Sequence, residues 1–324
     1  MKQKTSEKIL EYIDRRGQTT AGELSDHFGV TTRAVRKQLS SLLGQEKIQK
    51  VGKAPKVFYV LSEEKNILQG HEVSDALQKT IEENFLVITP SGKREEGFTG
   101  FQYWCDKQKL PLQKTAVEYA QTLTKYEQYK KDGLIDGMYK IKKTFSQVCV
   151  DNLFYFDFYA IERFGKTKLG QLLLYAKQSQ NKVLIRELVQ KIAPKVRELI
   201  EKYEIEAVGF IPPTVKREVQ LMREIERLLN LSIPSLSLVK IKTEISVPQK
   251  TLNKLEDRVE NASKTFLVSD TRTYKTVLLI DDALGSGATI NEVAKKIKAR
   301  KLAEKVIGLA ITGSFSGFEV ISEV

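Results

Sequence analysis

A run of four aliphatic residues, Val277 to Ile280, is followed at once by two acids and a loop of small residues. A continuous aliphatic run of this kind predicts a strand buried on both faces of a parallel sheet. The acids are Asp281 and Asp282, and the loop from Gly285 to Thr289 opens into a predicted helix, Ile290 to Ala299. Strand, acids, loop and helix in this order predict a ligand site at the carboxyl end of the strand.

The composition of the loop favours a phosphate ligand. Gly285, Ser286, Gly287, Ala288 and Thr289 carry little bulk, so backbone N–H groups stay open and the positive end of the next helix adds to the attraction for an anion. The two carboxylates accept hydrogen bonds, and they suit sugar hydroxyls or hydrated magnesium better than phosphate oxygens. A ribose with a 5′-phosphate would satisfy both parts. In the alternative interpretation, the acids cap a helix of a doubly wound domain without any ligand.

This stretch resembles the motif that binds 5-phosphoribosyl-1-diphosphate (PRPP) in type I phosphoribosyltransferases, in which four aliphatic residues and two acids precede a Thr/Ser-Gly-x-Thr loop. The resemblance implies that Asp281 and Asp282 are the catalytic acids that hold the ribose 2′- and 3′-hydroxyls. It implies that Gly285 to Thr289 hold the 5′-phosphate, with Gly285 and Ser286 where many members carry Thr-Thr. It also implies Mg²⁺ as the cofactor, carried by PRPP rather than by a metal site of the protein.

Two further segments stand where that family has other parts of its site. A proline-rich loop follows the predicted buried strand Ala207 to Ile211, at the place of the family's pyrophosphate loop, and residues 246–266 stand at the place of its mobile lid. The predicted pyrophosphate and lid residues are Pro213, Thr214, Lys216, Arg217 and Arg258. For each cation the alternative is a solvated surface charge. The guanidinium groups of Arg217 and Arg258 are the better candidates, because they pair with phosphate oxygens in a bidentate way.

Residues 150–324 look like the ComF-like branch of the family. The residues that carry this resemblance are Gln249, Arg258, Asn261 and Phe266, with the run from Lys166 to Lys177 upstream. Two features depart from it. No cysteine-rich zinc segment precedes the domain, and Lys216 to Gln220 replaces the family's Arg-Gly-Phe-Asn-Gln run. The 2 cysteines and 2 histidines are scattered without the spacing of metal ligands, so no zinc is predicted.

Strands and helices alternate over residues 151–324, which predicts an α/β domain with a doubly wound parallel sheet. The predicted helices are Leu169 to Gln178, Lys182 to Tyr203 and Val215 to Leu229, and the other predicted strands are Asn152 to Ala160, Leu236 to Lys240 and Val306 to Thr312. A mainly helical intermediate region, residues 63–150, precedes this domain. Aromatic residues around Trp104 predict packing there, with a base-stacking platform as the alternative.

Residues 1–62 have the pattern of three amphipathic helices followed by a hairpin. Ser6 is predicted to cap the first helix, and Thr31 or Thr32 the third. This pattern resembles a winged helix-turn-helix domain, which places its third helix in a DNA major groove and its wing along phosphates. The predicted DNA contacts are Thr32, Arg33, Arg36, Lys37 and Gln38 on the third helix, and Lys50, Lys53 and Lys56 on the wing. A protein-interaction module is the alternative.

The charge balance supports an anionic polymer as the partner of the first segment. The chain has 53 Lys and Arg against 41 Asp and Glu, a net charge of +12. Residues 1–60 hold 12 of the basic and 6 of the acidic residues. No apolar run approaches the ~20 residues of a membrane span, and no signal segment opens the chain, so a cytoplasmic protein without a membrane partner is predicted. The sequence leaves undecided whether the chain forms a homodimer.

Two functions fit these features. In the first, a phosphoribosyltransferase is fused to a DNA-binding module; such fusions resemble effectors of bacterial defence systems, including those of retrons, in which a nucleic acid or protein partner controls the enzyme. In the second, a transcription regulator without turnover uses PRPP as an allosteric effector, as in purine-type repressors. Both need the acids and the loop. The intermediate region favours the first, because a simple repressor needs no such insertion, and no residue indicates the acceptor.

Overall fold

The computed structural model describes residues 5–45, 47–53, 56–62, 73–215, 217–241, 243–245 and 247–314. The chain divides into two compact units, residues 1–70 and 71–324. Each unit has hydrophobic core residues of its own. Within the described part of the chain, every helix is too short or too polar to cross a lipid bilayer.

The first unit contains three helices and a hairpin among its described residues. Its elements are α1 (Thr5–Arg16), α2 (Ala21–Phe28), α3 (Thr32–Gly44), β1 (Ile48–Lys53) and β2 (Lys56–Leu61). Apolar residues three or four positions apart on the helices meet in one small core, which includes Ile9, Leu24 and Leu39. The strands β1 and β2 pair antiparallel. The predicted order of helices and hairpin is therefore confirmed.

Local capping fixes the ends of these helices. Thr20 accepts a hydrogen bond from the Glu23 N–H, and the Glu23 carboxylate accepts one from the Thr20 N–H, so α2 begins with a capping box. Thr31 caps α3 by accepting from the Ala34 N–H at 3.3 Å. The predicted cap at Ser6 is wrong, because α1 already includes Thr5 and Ser6 lies within it.

The second unit alternates helices and strands along the chain. Its helices are α4 (Asp75–Asn84), α5 (Gly97–Gln108), α6 (Leu112–Glu127), α7 (Met138–Thr144), α8 (Lys168–Ser179), α9 (Lys182–Lys202), α10 (Leu221–Leu229), α11 (Leu255–Thr265) and α12 (Ala288–Ala299). Its strands are β3 (Leu86–Ile88), β4 (Arg94–Glu96), β5 (Lys130–Lys131), β6 (Leu134–Asp136), β7 (Asn152–Phe158), β8 (Ala207–Phe210), β9 (Leu238–Lys240), β10 (Phe266–Val268), β11 (Tyr274–Leu284) and β12 (Ala303–Gly313).

A six-stranded sheet, counted over the described residues, forms the centre of this unit in the order β5-β6-β7-β12-β11-β8. The four strands from β7 to β8 in this order are parallel. This confirms the predicted α/β class with a mostly parallel sheet. The two strands at the other edge, β5 and β6, come from the intermediate region, and β6 pairs antiparallel with β7. The intermediate region therefore extends the sheet as well as adding helices.

Helices cover both faces of the sheet, as the pattern of β11 requires. Successive residues of a strand point to opposite faces. Val277 and Leu279 lie in a core with α12 and the helices of the intermediate region, whereas Leu278 and Ile280 lie in a second core with α8, α9 and α10. All four side chains are 0% exposed. The aliphatic run thus has no solvent face, and this explains why it lacks polar alternation.

Two details differ from the sequence-based prediction, and a third confirms it. The helix predicted from Val215 begins only at Leu221, because residues 211–215 and 217–220 are not helical. The strand predicted from Leu236 to Lys240 is shorter, and as β9 it pairs antiparallel with β10, outside the six-stranded sheet. The aromatic cluster around Trp104 packs internally. The centroid of the Trp104 ring lies 6.0 Å from that of Phe101 and 5.7 Å from that of Phe164, so Trp104 packs against the core.

Candidate functional site

A cavity of about 760 Å³ opens in the second unit at the carboxyl ends of β8 and β11. Asp281, Asp282 and residues 285–289 line it, together with four other residues that the sequence singled out. Those four are Pro213, Thr214, Arg217 and Arg258. The predicted loop is shorter than expected, because α12 begins at Ala288 rather than at Ile290. The remaining predicted residue of this set, Lys216, lies outside the described residues. Segments more than 60 positions apart in the sequence therefore meet around one cavity.

The strand β11 holds the two acids more firmly than a loop would. Its parallel pairing with β12 continues past the aliphatic run, with Asp281 opposite Ala310 and Leu284 opposite Gly313. The Asp282 N–H donates to Oδ1 of Asp281 at 2.8 Å. The sequence predicted that the acids follow the strand, whereas in the structure they belong to its last, still paired residues. Their carboxylates therefore project from a backbone that is fixed by the sheet.

The small-residue loop turns sharply into α12. Gly287 has a φ of +84°, which strains any residue with a side chain, and a Cβ there would lie 3.3 Å from Cδ1 of Ile141. Ser286 is buried, and its hydroxyl accepts from the Ala288 N–H at 3.2 Å. The first backbone N–H groups of α12 follow directly. The loop thus presents backbone donors and the positive end of a helix to the cavity.

A lysine that the sequence-based site did not include contacts one of the acids. Lys177 on α8 forms an ion pair with Oδ2 of Asp282, 105 positions away. The Lys177 side chain is 28% exposed and that of Asp282 18%, and both residues line the cavity. Lys177 ends the run that carried part of the ComF-like resemblance, which was the one signal in the sequence that marked this position.

The other acid lies in a poorly solvated environment. Burial and the neighbouring Asp282 carboxylate raise the pKa of Asp281 well above the ordinary value of an aspartate. Lys240 lies nearby on β9, with Nζ 4.0 Å from the centroid of the Phe266 ring. Its Nζ is buried without a hydrogen-bond partner among the described residues, and this burial lowers the pKa of Lys240 to about 8. The Asp281 charge acts in the opposite direction on that pKa.

The raised pKa of Asp281 has a consequence for stability. The folded protein holds this proton more tightly than the unfolded chain, in which an aspartate has a pKa of about 3.9. Its contribution to stability is therefore full below about pH 4 and is lost as the pH rises through the raised pKa of the folded state. Asp281→Asn keeps the acceptor oxygen without the charge. We expect this variant to be more stable than the wild type at pH 7, by about 1–3 kcal/mol.

Thermal unfolding of both proteins between pH 5 and pH 8 measures this effect. The advantage of Asp281→Asn should grow with pH across that interval, because only the wild type loses stability from this group. A variant that unfolds below the wild-type temperature at pH 7 would show that the Asp281 carboxylate stabilises the fold.

The two predicted arginines reach the cavity from different segments of the chain. Arg217 donates from Nη2 to Oε1 of Gln178 on α8 at 2.9 Å. Arg258 on α11 is only 7% exposed, and its Nε donates to the Leu252 carbonyl oxygen at 2.7 Å. Burial lowers the pKa of Arg258 from its ordinary value. The segment predicted as a lid thus contains an ordered helix that carries a guanidinium to the cavity wall.

In the first unit, α3 presents a continuous polar face. Thr32, Arg33, Arg36 and Lys37 are exposed, Gln38 is half-buried, and the apolar side of the helix is packed in the core. Lys50 on β1 is exposed too. The side chains of Lys53 and Lys56 lie outside the described part of the hairpin. The Thr32 hydroxyl donates to Ser25 Oγ at 3.3 Å, and this bond joins α2 to the start of α3.

A comparison with protein families identifies this helix pair. Residues 6–52 match the DeoR-like helix-turn-helix domain. The first unit contains a DeoR-like helix-turn-helix domain. The match spans α1 to β1, and it supports DNA as the partner of the exposed face of α3. It covers less than a fifth of the chain and leaves the second unit unassigned. No curated protein matches the sequence.

Proposed function

We propose that the second unit binds PRPP or a related ribose phosphate, and that the DeoR-like domain links this binding to DNA. One observation carries the proposal. The acid pair, the glycine-containing loop at the start of α12 and two arginines line the same cavity. Acids suit a sugar diol, a helix N-terminus suits a monophosphate, and guanidinium groups suit a diphosphate. The cavity therefore has a matching group for each part of PRPP.

The proposed roles follow from this arrangement. Asp281 and Asp282 accept hydrogen bonds from the ribose hydroxyls, and Gly285 to Thr289 donate backbone N–H groups to the 5′-phosphate. Arg217 and Arg258 contact the diphosphate together with Pro213 and Thr214. Lys216, which lies outside the described residues, is assigned to the same group from the sequence alone. Because the Ala288 N–H already donates to the buried Ser286 hydroxyl, the proposed donors to the phosphate are the other backbone N–H groups of this segment and the Ser286 O–H.

The acid pair also fits a magnesium ion that arrives with the ligand. Mg²⁺ keeps several waters and usually takes one or two carboxylates together with phosphate oxygens of a substrate. Among the described residues, no group of three or more His, Cys, Asp or Glu side chains could form a metal cage. The donor set of Asp281 and Asp282 thus suits an ion that brings diphosphate oxygens with it. When bound, this ion would neutralise charge on the diphosphate.

The proposed reaction is phosphoribosyl transfer to a nitrogen nucleophile. The bond between C1 of the ribose and the pyrophosphate oxygen breaks, and its electron pair leaves on the pyrophosphate. The lone pair of the acceptor nitrogen forms the new bond to C1, and the acceptor loses a proton. In this scheme the protein orients the ribose through its two acids. Arg217 and Arg258 stabilise the charge that develops on the leaving group.

Release of pyrophosphate tests this proposal. The full chain would be incubated with PRPP and magnesium, with and without DNA or RNA, and with a panel of nitrogenous bases. Release that depends on a base or on nucleic acid supports a transferase, and dependence on nucleic acid would support a controlled effector such as a defence module. Tight PRPP binding without release in any condition would contradict turnover.

A regulator without turnover is the second candidate, and the DeoR-like match favours it. In this case PRPP binding changes the affinity for DNA, and DNA changes the affinity for PRPP by the same factor. Titrating labelled DNA with and without PRPP measures this coupling. Equal DNA affinities in the two titrations would exclude the regulator.

The exposed face of α3 gives a direct test of DNA binding. We expect Arg36→Ala with Lys37→Ala to weaken DNA binding at least tenfold at moderate salt, and to reduce the slope of log K against log salt by about 1–2. The reason is that each lost phosphate contact removes about 0.9 from that slope. Fluorescence anisotropy over a salt series measures both quantities.

The matched control removes the same charge from α1. Lys8 and Arg15 are exposed there, so Lys8→Ala with Arg15→Ala should leave the affinity closer to wild type. Equal losses in both double variants would show that net charge alone drives binding. An unchanged affinity after the α3 substitutions would indicate that this face contacts a protein.

A further inference from the structure

The ion pair between Lys177 and Asp282 joins two sides of the cavity. Asp282 belongs to β11, at the bottom of the proposed ribose site, and Lys177 comes from the last turns of α8. The pair is part-buried, and Lys177 is the residue through which α8 reaches the acids. A lysine at this place either neutralises the acid for the stability of the fold or is available to an anionic ligand.

The end of α8 is also fixed to the loop at the other side of Lys177. Gln178 accepts from Nη2 of Arg217 at 2.9 Å, and Oε1 of Gln180 accepts from the Val219 N–H at 2.8 Å. Both bonds lie within three positions of Lys177. Together with the ion pair of Lys177, they connect the end of α8 both to β11 and to the loop that carries Arg217. The position of Lys177 is therefore set by backbone and side-chain contacts on two elements.

If the cavity binds PRPP as proposed, Lys177 is in a position to contact the ligand, and this inference rests on that proposed function. The C1 diphosphate of PRPP would extend from the ribose acids toward the Arg217 loop, and α8 contacts both of these through Lys177 and Gln178. An ammonium group on a flexible four-carbon chain can reorient from a carboxylate to a more highly charged diphosphate. Asp282, with up to four lone-pair positions, can accept from a ribose hydroxyl at the same time.

We propose that Lys177 is a ligand-binding residue that makes the cavity select ribose phosphates with a second anionic group at C1. In the ligand-free protein its ammonium group is held by Asp282. In the complex it contacts the C1 diphosphate, next to Arg217. Lys177 thus distinguishes PRPP from ribose 5-phosphate, which has the same diol and 5′-phosphate but no charge at C1.

Isothermal titration of the full chain with two ligands tests the selection. PRPP with magnesium and ribose 5-phosphate would each be titrated into the wild type, Lys177→Met and Lys177→Arg. We expect Lys177→Met to lose at least tenfold in affinity for PRPP and to change less than about threefold for ribose 5-phosphate. Lys177→Arg should keep most of the PRPP affinity because it keeps the charge.

Lys182→Met is the matched control, because Lys182 is exposed at the start of α9 and does not line the cavity. It should bind both ligands as the wild type does. Equal losses of affinity for both ligands in Lys177→Met would show that Lys177 only positions Asp282, and would overturn its role in selection. Unchanged PRPP affinity in this variant would overturn that role as well. A wild type that binds neither ligand would overturn the proposed function itself. Thermal unfolding of each variant reports whether it folds.

Discussion

Asp281→Asn combined with Asp282→Asn is expected to abolish PRPP binding while the DeoR-like domain binds DNA with wild-type affinity. Hydrogen bonds to charged groups contribute about 1.5–3 kcal/mol each. Loss of the bond to the charged Asp282 corresponds to about 1.5–3 kcal/mol, and loss of the Asp281 carboxylate adds to it, so that we expect a decrease of roughly a hundredfold in affinity. The change would also remove the charge that pairs with Lys177 and the carboxylates proposed for magnesium.

The measurement combines titration of PRPP with titration of labelled DNA on the same preparation. Glu256→Gln with Asp257→Asn provides the matched control, because it removes the same charge from exposed positions on α11. This control should bind PRPP. If the double variant at β11 binds PRPP as the wild type does, the assignment of the acids to the ribose is wrong, whatever the outcome for DNA.

The sequence predicted the local parts of the site because their signals are local. The aliphatic run of β11 has no polar residue, since both faces of the strand are covered by helices, and the loop after the acids needs small residues because Gly287 takes a positive φ. The helix-turn-helix pattern was readable for the same reason, because the caps at Thr20 and Thr31 bond to residues only three positions away.

The contacts between segments that are distant in the sequence could not be predicted from local sequence patterns. The α8 helix packs apolar residues around much of its surface, including Leu172, Leu173 and Ala176, so its pattern gives no direction for Lys177. Its contact with Asp282 depends on how the sheet is ordered. Likewise, the β9 sequence predicts a strand, but its pairing with β10 rather than with the sheet depends on where the chain returns after α11.

The same limit applies to Asn291, which joins the intermediate region to the site. Asn291 is 2% exposed on α12, and its Oδ1 accepts from the Cys149 N–H at 2.8 Å while its Nδ2 donates to the Gln147 carbonyl oxygen at 3.0 Å. Asn291→Leu keeps the approximate volume and removes both bonds. We expect a loss of stability of about 1–3 kcal/mol, because the buried Cys149 N–H loses its partner and the part-buried bond to the Gln147 carbonyl is lost as well.

Calorimetric unfolding measures this loss as a lower transition temperature of the second unit, by roughly 2–4 °C per kcal/mol for a unit of this size. Lys295→Leu on the exposed side of the same helix is the control and should unfold close to wild type. Because Asn291 also bonds through its N–H to the Gly287 carbonyl oxygen, it lies one turn from the loop proposed for the 5′-phosphate. Weaker binding of ribose 5-phosphate at temperatures where Asn291→Leu stays folded would therefore indicate that the intermediate region positions this loop. An unchanged transition temperature would show that water replaces the amide at Gln147 and Cys149.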